Sequence, residues 1–329
     1  MRPIKVLIVD DSALVRTILT ELLSLDPQLE VVGAASDPFE AREMIKQLQP
    51  DVLTLDVEMP KMDGITFLRN LMRLRPMPVI MLSTLTTKGA SVTLEALELG
   101  AVDFIAKPKS DQLLGNLNTF KQELIAKVVF AASVDINILH RKRPHIAAPL
   151  QLSTELSSNT IIAIGASTGG TEALRLVLEQ LPSNCPAVVI TQHIPESFSL
   201  RFAQRLDAHC QMTVHEAQTG QKIERGHIYV ARGGQHLKIS ERGGDYYCQL
   251  DNSEPVNRHK PSVDVMFGSL AQLKRVKVYG VLLTGMGNDG AAEMLTLKQA
   301  GHFTLIQDKQ SSLIWGMPGS AFALNAHCQ

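Results

Sequence analysis

Three short motifs in the second half of the sequence carry a serine, a histidine and an aspartate. Gly165–Gly169 reads G-A-S-T-G between an apolar run and a helical pattern, which matches the G-x-S-x-G turn that exposes a nucleophilic serine, here Ser167. His193 and Asp289 each follow a further apolar run. A serine hydroxyl is a poor nucleophile while it is protonated, so it needs a base such as an imidazole beside it. Because a carboxylate can orient that base and stabilise its charged form, we predict an acyl-transfer site of Ser167, His193 and Asp289.

The glycines in these motifs leave other interpretations open. The turn at Ser167 also suits a phosphate-binding loop or an ordinary tight connection. Gly285–Gly290 spells G-x-G-x-x-G after an apolar run, with Asp308 at the end of the next run, which is the pattern of a dinucleotide site in an NAD-dependent oxidoreductase. Asp289 argues against that site, because a carboxylate beside the third glycine would repel the pyrophosphate.

The identity of the base depends on which edge of the sheet carries it. The chain order Ser–Asp–His of one hydrolase class would make His302 the base. His302 follows a helical pattern and precedes an apolar run, so it belongs at the opposite sheet edge from Ser167. We therefore predict His193 as the base, since a triad is defined by its geometry and its chain order varies between folds.

A second group of polar residues lies in the first third of the sequence, again at the ends of apolar runs. Asp10 and Asp11 end the first run, Asp56 the third and Ser83 the fourth, and Lys107 follows the fifth. Carboxylates placed together repel one another unless a cation joins them, and such oxygen ligands suit Mg²⁺. A carboxylate beside Mg²⁺ can attack a phosphoryl group, and a serine and a lysine can hold the new phosphoryl oxygens. Taken singly, each acid is equally compatible with a helix cap or a surface charge.

Both groups of residues depend on parallel sheets to bring them together. In the first third, five short apolar runs alternate with amphipathic segments, which predicts an α/β domain with a doubly wound parallel sheet. The carboxyl ends of its strands then meet at one edge, where such sheets bind ligands. The predicted strands are 4–9, 31–35, 52–55, 79–82 and 102–105, and the predicted helices lie near 13–25, 38–48, 64–74, 88–98 and 112–130.

The same alternation returns after residue 160 and predicts a second doubly wound α/β domain. Around residues 212–250, the pairs Gly233-Gly234 and Gly243-Gly244 predict antiparallel hairpins inserted into the parallel pattern. The remaining predicted strands are 161–165, 187–191, 227–231 and 276–283, with helices near 170–180, 197–208, 263–273 and 290–300.

A break in composition separates the two domains. From His140 to Asn159 the sequence lacks an apolar period and contains a run of three basic residues and two prolines, which is typical of a linker. We therefore expect a first domain over residues 1–125, a linker over 126–158 and a second domain over 159–329.

The composition excludes several classes of partner and location. With 32 basic against 33 acidic residues the formal net charge is −1, so no global field favours nucleic acid or an anionic membrane. The four cysteines form no CxxC pair and no zinc spacing, which is typical of reduced thiols in a cytosolic protein. A signal peptide and a span-length apolar stretch are both missing from the sequence, so we expect a cytoplasmic protein that is not inserted in a membrane.

The first domain resembles the receiver domain of bacterial response regulators, with a flavodoxin-like (βα)5 fold, over about residues 1–125. The resemblance makes Asp56 the phosphoacceptor, Asp10 and Asp11 acids of a Mg²⁺ site that also includes Asp56, and Ser83 and Lys107 the switch residues. The segments that carry it are IVDDS at 8–12, LTLDVEMPKMDG at 53–64, LST at 82–84 and AKP at 106–108.

The second domain resembles the chemotaxis protein-glutamate methylesterases, the CheB family. The resemblance makes Ser167 the nucleophile, His193 the general base and acid, and Asp289 the orienting acid. It also suggests that the side chain of Thr168 and the backbone around Met286 support an oxyanion or the substrate. The matching segments are GASTGGTEALR at 165–175, TQHIPESFS at 191–199, PVNRHKPSVDVMF at 255–267 and LLTGMGNDGAAEML at 282–295.

This resemblance implies an activity and a set of partners. The expected reactions are hydrolysis of glutamyl methyl esters on chemoreceptors with release of methanol, and deamidation of particular receptor glutamines, without a cofactor in the catalytic domain. The expected partners are a chemotaxis histidine kinase as phosphodonor and the methylated receptors, reached by peripheral association with membrane receptor arrays. The resemblance also implies that the unphosphorylated receiver covers the catalytic cleft and that phosphorylation relieves this inhibition.

Three further expectations concern the surface, the end of the sequence and the alternative to an enzyme. Arg201, Arg205, Arg258, His259 and Lys260 are candidates for docking an acidic receptor helix, although each is equally compatible with solvated surface charge. Family members continue further beyond the segment that ends at residue 319, so we expect the last layer of the catalytic sheet to be short or exposed. The non-enzymatic alternative is an output domain that only binds an adaptor or nucleic acid, and the absence of a helix-turn-helix pattern argues against nucleic acid.

Overall fold

The structure, a computed structural model, describes residues 2–84, 86–107, 117–134 and 159–328 of the 329-residue chain. The chain divides into two compact units, Met1–Arg141 and Lys142–Gln329. Most of the predicted linker, residues 135–158, and the predicted beginning of the helix at 112–130 lie outside the described residues.

The first unit confirms the predicted parallel sheet with its strands in the order β2-β1-β3-β4-β5. The strands are β1 Ile4–Val9, β2 Leu29–Ala35, β3 Val52–Asp56, β4 Val79–Ser83 and β5 Asp103–Ala106. The helices are α1 Ala13–Ser24, α2 Pro38–Leu48, α3 Gly64–Leu74, α4 Thr87–Glu98 and α5 Leu117–Ser133.

Local sequence explains where these elements begin and how the sheet is buried. Every residue of β3 and β4 is buried, as expected for central strands that are covered by helices on both faces. Helix α1 begins where the Ser12 side chain accepts a hydrogen bond from the Val15 backbone, and the side chains of Asp37 and Asp63 cap α2 and α3 in the same way. The Ser12 cap ends the loop that holds Asp10 and Asp11, so the helix start fixes the position of these acids.

The second unit contains a six-stranded parallel sheet in the order β13-β12-β6-β7-β9-β8 and a separate antiparallel pair, β10 and β11. The strands are β6 Thr160–Ala166, β7 Ala187–Gln192, β8 Thr213–Glu216, β9 His227–Val230, β10 His236–Arg242, β11 Asp245–Asp251, β12 Lys277–Leu282 and β13 Phe303–Ile306. The helices are α6 Gly170–Leu178, α7 Glu196–Asp207, α8 Val263–Ala271, α9 Ala291–Gln299 and α10 Met317–Ala323.

The prediction of hairpins throughout residues 212–250 was partly wrong. Gly243-Gly244 does form the turn of the β10–β11 hairpin, with φ of 63° and 88°. Strand β8, however, pairs in parallel with β9 as the edge of the main sheet. Gly233 permits a close approach, because a Cβ there would lie 2.4 Å from the backbone of Pro195. A glycine pair therefore marked a hairpin turn in one case and a backbone contact in the other.

The strand order determines which loops share an edge of the second sheet. Strand β6 lies between β12 and β7, so the loops after these three strands are neighbours at the carboxyl edge. The connections run in opposite directions on the two sides of β6, which is the topological position where doubly wound sheets form their sites.

Helix α10 contacts α9 and β13, buries Met317, Pro318 and Ala321, and leaves Phe322 and Leu324 largely exposed. Among the described helices, none combines the length and the apolar content that crossing a membrane requires.

Helix α8 packs closely against β6, and the contact leaves no space for a side chain at Gly165. A Cβ at Gly165 would lie 2.3 Å from Cγ1 of Val263, so we expect Gly165→Ala to lower the free energy of unfolding by about 1–3 kcal/mol through overpacking. Urea unfolding of the full chain measures this loss. The matched control is Gly280→Ala in β12, where the nearest atom is the flexible Cδ1 end of Leu297 at 3.0 Å. Equal stability of Gly165→Ala and the wild type would contradict this account of the packing.

Candidate active site

The structure brings the three predicted triad residues together at the carboxyl edge of the second sheet. Ser167 follows β6, His193 follows β7, and Asp289 lies in the loop after β12. Nδ1 of His193 is 3.0 Å from Oγ of Ser167, and Nε2 of His193 is 2.8 Å from Oδ2 of Asp289. These two contacts form a continuous hydrogen-bonded path from the hydroxyl to the carboxylate. All three side chains are largely buried.

Glycines and a glutamine hold Ser167 in its turn. Gly169 has a φ of 75°, a left-handed conformation that suits glycine, and the Gly170 N–H donates to the carbonyl oxygen of Ser167 at 2.7 Å. Gln192 also donates to this oxygen, at 2.9 Å. A Cβ at Gly285 would lie 2.8 Å from Cβ of Ser167, so the loop after β12 can reach the serine only with glycine at this position.

Asp289 is a buried carboxylate that accepts hydrogen bonds from several donors. Burial by itself would raise the pKa of Asp289, but hydrogen bonds from His193, Asn257 and the Val263 backbone hold this pKa well below its usual range. The backbone donors belong to the first turn of α8, where the helix dipole also favours an anion. Oδ1 accepts from Asn257 at 2.8 Å, Ser262 at 2.8 Å and the Asp264 N–H at 3.2 Å, and Oδ2 accepts from the Val263 N–H at 2.7 Å.

The ionised state of Asp289 assigns the roles of the two ring nitrogens of His193. A carboxylate can only accept, so Nε2 carries the hydrogen that it shares with Asp289, and Nδ1 presents its lone pair to the hydroxyl of Ser167. The trypsin-like template uses the opposite assignment, with Nε2 toward the serine. The chemical consequence is the same, because one nitrogen can take the hydroxyl proton while the carboxylate stabilises the resulting imidazolium.

The two residues predicted to support an oxyanion lie beside the nucleophile. Thr168 is buried, and its carbonyl oxygen accepts from the hydroxyl of Thr284 at 3.0 Å. Met286 follows Gly285, and its backbone N–H has no hydrogen-bond partner within the part of the chain that the structure describes. The N–H of Ser167 is already engaged by the carbonyl oxygen of Thr284 at 3.0 Å. Of these two backbone donors, the Met286 N–H is therefore the one that is not engaged within the described residues.

The structure gives no support to the two alternative assignments of these motifs. His302 precedes β13 and accepts from the Val278 N–H at 3.4 Å, at the opposite end of the strands from Ser167. Gly290 serves a close contact, because a Cβ there would lie 2.6 Å from Cγ1 of Val263. The side chain of Asp308 accepts from the backbone of its own turn, at Gln310 and Ser311.

Several residues that contact the triad escaped the sequence analysis. Asn257 and Ser262 bind Asp289, and Gln192 holds the Ser167 turn. His259, a predicted docking residue, stacks its ring on the ring of His193. The only signal was the resemblance of residues 255–267, which gave no role to individual positions. The docking role of the remaining basic residues stays a prediction.

The acids of the first unit also meet at the carboxyl edge of their sheet. One oxygen each from Asp10, Asp11 and Asp56 lies within 4.8 Å of the others. Nζ of Lys107 lies 2.7 Å from Oδ2 of Asp10 and 2.8 Å from Oδ2 of Asp56. Burial opposes the charged form of Lys107, but its contacts with the two carboxylates raise its pKa. Burial raises the pKa of Asp56 to about 6, although Lys107 counteracts this rise.

These residues fit a hard divalent cation. Three carboxylates lie together, Lys107 contacts two of them, and their oxygens are the ligands that Mg²⁺ prefers. Ser83 is fully buried, and its Oγ accepts from the hydroxyl of Thr93 on α4 at 2.7 Å. In this structure the Ser83 hydroxyl is therefore hydrogen-bonded to α4.

Comparison with known proteins agrees with the two-unit architecture. A family model described as CheB methylesterase matches residues 162–329, and one described as response regulator receiver domain matches residues 6–118. A relative from Xanthomonas campestris pv. campestris, named protein-glutamate methylesterase/protein-glutamine glutaminase 1, is 54% identical over 98% of this chain and 92% of the relative. A Saccharophagus degradans relative named protein-glutamate methylesterase/protein-glutamine glutaminase 2 is 53% identical over 99% and 94%. The solved CheB methylesterase catalytic domain of Thermotoga maritima is 34% identical, with a TM-score of 0.51, and the match covers 52% of this chain and 92% of that domain.

The depressed pKa of Asp289 predicts a pH-dependent contribution to stability. Because the folded-state pKa lies below the unfolded value of about 4, the contribution is fully present above that pH and is lost on acidification through the folded-state value. Asp289→Asn places a donor against the donors around it, so we expect a loss of about 1–3 kcal/mol near neutral pH that shrinks below about pH 4. Urea unfolding as a function of pH measures the difference.

The control for this prediction is Asp308→Asn. Asp308 is exposed and caps a surface turn, so its substitution should change the stability much less. A stability difference for Asp289→Asn that stays constant from neutral to acidic pH would contradict an ionised Asp289.

Proposed function

This chain belongs to the CheB methylesterase family, and from that premise we infer that it is a phosphorylation-activated protein-glutamate methylesterase and protein-glutamine glutaminase. It hydrolyses glutamate methyl esters on chemoreceptors, releases methanol and deamidates receptor glutamines, and thereby acts in the adaptation of chemotaxis. The chain covers more than nine tenths of the curated relatives that carry these names. The observation that carries the chemistry is the continuous path from Ser167 through His193 to Asp289, at 3.0 and 2.8 Å.

The proposed reaction is acyl transfer through an ester of the enzyme. Oγ of Ser167 attacks the carbonyl carbon of the glutamyl ester while Nδ1 of His193 takes the hydroxyl proton. When the C–O bond to the methoxy group breaks, the imidazolium delivers this proton to the leaving methanol. Water then attacks the acyl-enzyme with His193 as the base, which releases the glutamate and restores the serine hydroxyl. A glutamine follows the same steps with ammonia as the leaving group.

Two features support the electrostatic part of this mechanism. Asp289 is held ionised, so it stabilises the imidazolium in both proton transfers. The Met286 N–H and Thr168 are proposed to stabilise the oxyanion of the tetrahedral intermediate, which places this charge beside Gly285 and Ser167. No group other than these side chains and backbone donors is needed for the chemistry, which is the basis for proposing a catalytic domain without a cofactor.

The receiver domain is proposed to switch this activity. Its carboxylates Asp10, Asp11 and Asp56 would hold Mg²⁺, which, when bound, neutralises charge that otherwise opposes the approach of a phosphoryl group. Asp56 is the phosphoacceptor, and Lys107 and Ser83 respond to the new phosphoryl oxygens. The phosphodonor is a chemotaxis histidine kinase, and the enzyme is proposed to act in the cytoplasm at the membrane receptor arrays that contain its substrates.

The nucleophile assignment predicts the outcome of a single substitution. Ser167→Ala removes the attacking atom, so we expect methanol release from methylated receptor membranes to fall by about 10³-fold or more. Radiolabelled methanol released from receptors methylated with a labelled methyl donor measures the rate. Phosphorylation of the same variant at Asp56 should be normal, which shows that its receiver unit is folded, and wild-type thermal unfolding shows the same for the catalytic unit. Unchanged methanol release in Ser167→Ala would refute the assignment.

The phosphoacceptor assignment predicts dependence on both Asp56 and the cation. We expect a small phosphodonor to label the wild type and Ser167→Ala but not Asp56→Asn, and chelation of Mg²⁺ to abolish the label in all of them. Methanol release should rise on addition of the phosphodonor only in the proteins that retain Asp56 and Ser167. Normal phosphoryl labelling of Asp56→Asn would contradict Asp56 as the phosphoacceptor, and normal labelling in the presence of a chelator would contradict the dependence on Mg²⁺.

A further inference from the structure

The loop before α8 forms a tight turn that contacts both the base and the acid of the triad. Val256 and His259 exchange backbone hydrogen bonds of 3.1 and 2.8 Å across two intervening residues. These residues, Asn257 and Arg258, have φ of 52° and 69°. Two consecutive positive φ values are what a type I′ turn requires, and asparagine is favoured in it. We call the four residues Val256–His259 the clamp turn.

One end of the clamp turn places a flat ring against the base. The ring centroids of His259 and His193 are 3.6 Å apart, and the planes differ by 12°. Rotation of an imidazole about its Cβ–Cγ bond is a soft motion with broad minima. A second ring stacked on one face restricts this rotation, and it leaves the edge of the His193 ring to the two hydrogen bonds with Ser167 and Asp289.

The other end of the clamp turn places an amide against the acid. Nδ2 of Asn257 donates to Oδ1 of Asp289 at 2.8 Å and to Oδ2 of Asp264 at 2.6 Å. Both partners are carboxylates and can only accept, so the amide must present its nitrogen to them. The amide therefore lies between two like charges and fixes one oxygen of Asp289, while the other oxygen meets His193.

A buried histidine outside the triad and outside the clamp turn anchors the backbone on both sides of the turn. His236 is fully buried on β10, and its Nδ1 accepts from the Ser262 N–H at 3.1 Å. Its Nε2 therefore carries the hydrogen that is donated to the carbonyl oxygen of Glu254 at 3.0 Å. One ring thus ties the backbone before the clamp turn to the backbone after it, which makes the turn a rigid platform.

We propose that the clamp turn positions the acid–base pair, with His259 orienting the ring of His193 and Asn257 orienting the carboxylate of Asp289. Both are positioning residues, since they act through the triad and not on the ester. This inference rests on the proposed function, in which Ser167 is the nucleophile and a receptor methyl ester is the substrate. Because misplacement of a catalytic group by about 1 Å can cost about 10²-fold in rate, the effect should appear in kcat and leave KM nearly unchanged.

The test compares two substitutions of His259 in the full chain. We expect His259→Ala to lower kcat for methanol release from methylated receptor membranes by about 10- to 100-fold. His259→Phe keeps a flat ring at the position but no ring nitrogen, so its kcat should lie within about fivefold of the wild type. Rescue by phenylalanine would show that the position requires the flat ring and not a ring nitrogen, and equal thermal unfolding of His259→Ala and the wild type would separate this role from a loss of stability. A His259→Phe variant as slow as His259→Ala, with wild-type thermal unfolding, would overturn the stacking role.

The second substitution pair isolates the amide of Asn257 from the geometry of the turn. Asn257→Gly removes the amide but suits the positive φ, and Asn257→Asp keeps the size but places a carboxylate against Asp264 and Asp289. We expect both to lower kcat, Asn257→Asp more strongly, with KM nearly unchanged. A kcat of Asn257→Gly equal to that of the wild type would overturn the role of the amide.

A readout that does not require the receptor separates this proposal from the proposed function. A fluorophosphonate reacts with an activated serine: the Oγ–P bond forms, the P–F bond breaks, fluoride leaves, and His193 takes the hydroxyl proton. The rate of labelling of Ser167 should follow the same order, with the wild type and His259→Phe fast and His259→Ala and Asn257→Gly slow. If the wild type released no methanol but the four proteins showed this order of labelling rates, the proposed function would be wrong and the positioning role of the clamp turn would be retained. Equal labelling rates in all variants would overturn the clamp turn.

Discussion

The buried negative charge of Asp289 is the constraint on which the catalytic unit depends. A carboxylate that is 1% exposed would be strongly destabilising without donors, and here a helix start, a serine, an asparagine and an imidazole supply them. The donors come from the start of α8, the loop before it and the loop after β7, so the position of one side chain fixes the start of α8, the loop before it and the orientation of His193. The same hydrogen bonds that stabilise the buried charge of Asp289 therefore also set the geometry of the triad.

The sheet makes this arrangement possible because it brings three loops to one edge. Strand β6, which leads to Ser167, lies between β7, which leads to His193, and β12, which leads to Asp289. The loops have to approach closely, and glycines at 165, 285 and 290 leave space for Val263, Ser167 and Met317, which a Cβ would occupy. Two of the three glycines that resembled a dinucleotide fingerprint, Gly285 and Gly290, thus serve contacts within the fold, and the third, Gly287, has a positive φ of 87°.

The sequence predicted the fold and the functional residues at the strand ends. It did not predict the contacts that a loop makes with them. The alternation of apolar runs predicted both parallel sheets, because buried central strands and amphipathic helices have distinct periods. It also predicted that residues after parallel strands share one edge of the sheet, so Ser167, His193 and Asp289 could be grouped before any coordinates. The roles of Asn257 and His259 could not be predicted, because they depend on two consecutive left-handed residues and on the anchor at His236. Strand β8 was assigned to a hairpin for a similar reason, since its pairing in parallel with β9 follows from a crossover and not from its own four residues.

Two buried aspartates, one at the carboxyl edge of each sheet, have pKa values that are shifted in opposite directions. Asp289 has donors on both oxygens, and its pKa is held low, so it stays an anion and cannot act as a nucleophile without breaking those bonds. Asp56 is also buried, but its principal partner is Lys107, which it shares with Asp10, and its pKa is raised to about 6. A carboxylate that has to react must keep an oxygen available, and the cost of burying it with few donors is a raised pKa. The number of donors, more than the depth of burial, therefore distinguishes Asp289, the proposed orienting acid, from Asp56, the proposed phosphoacceptor.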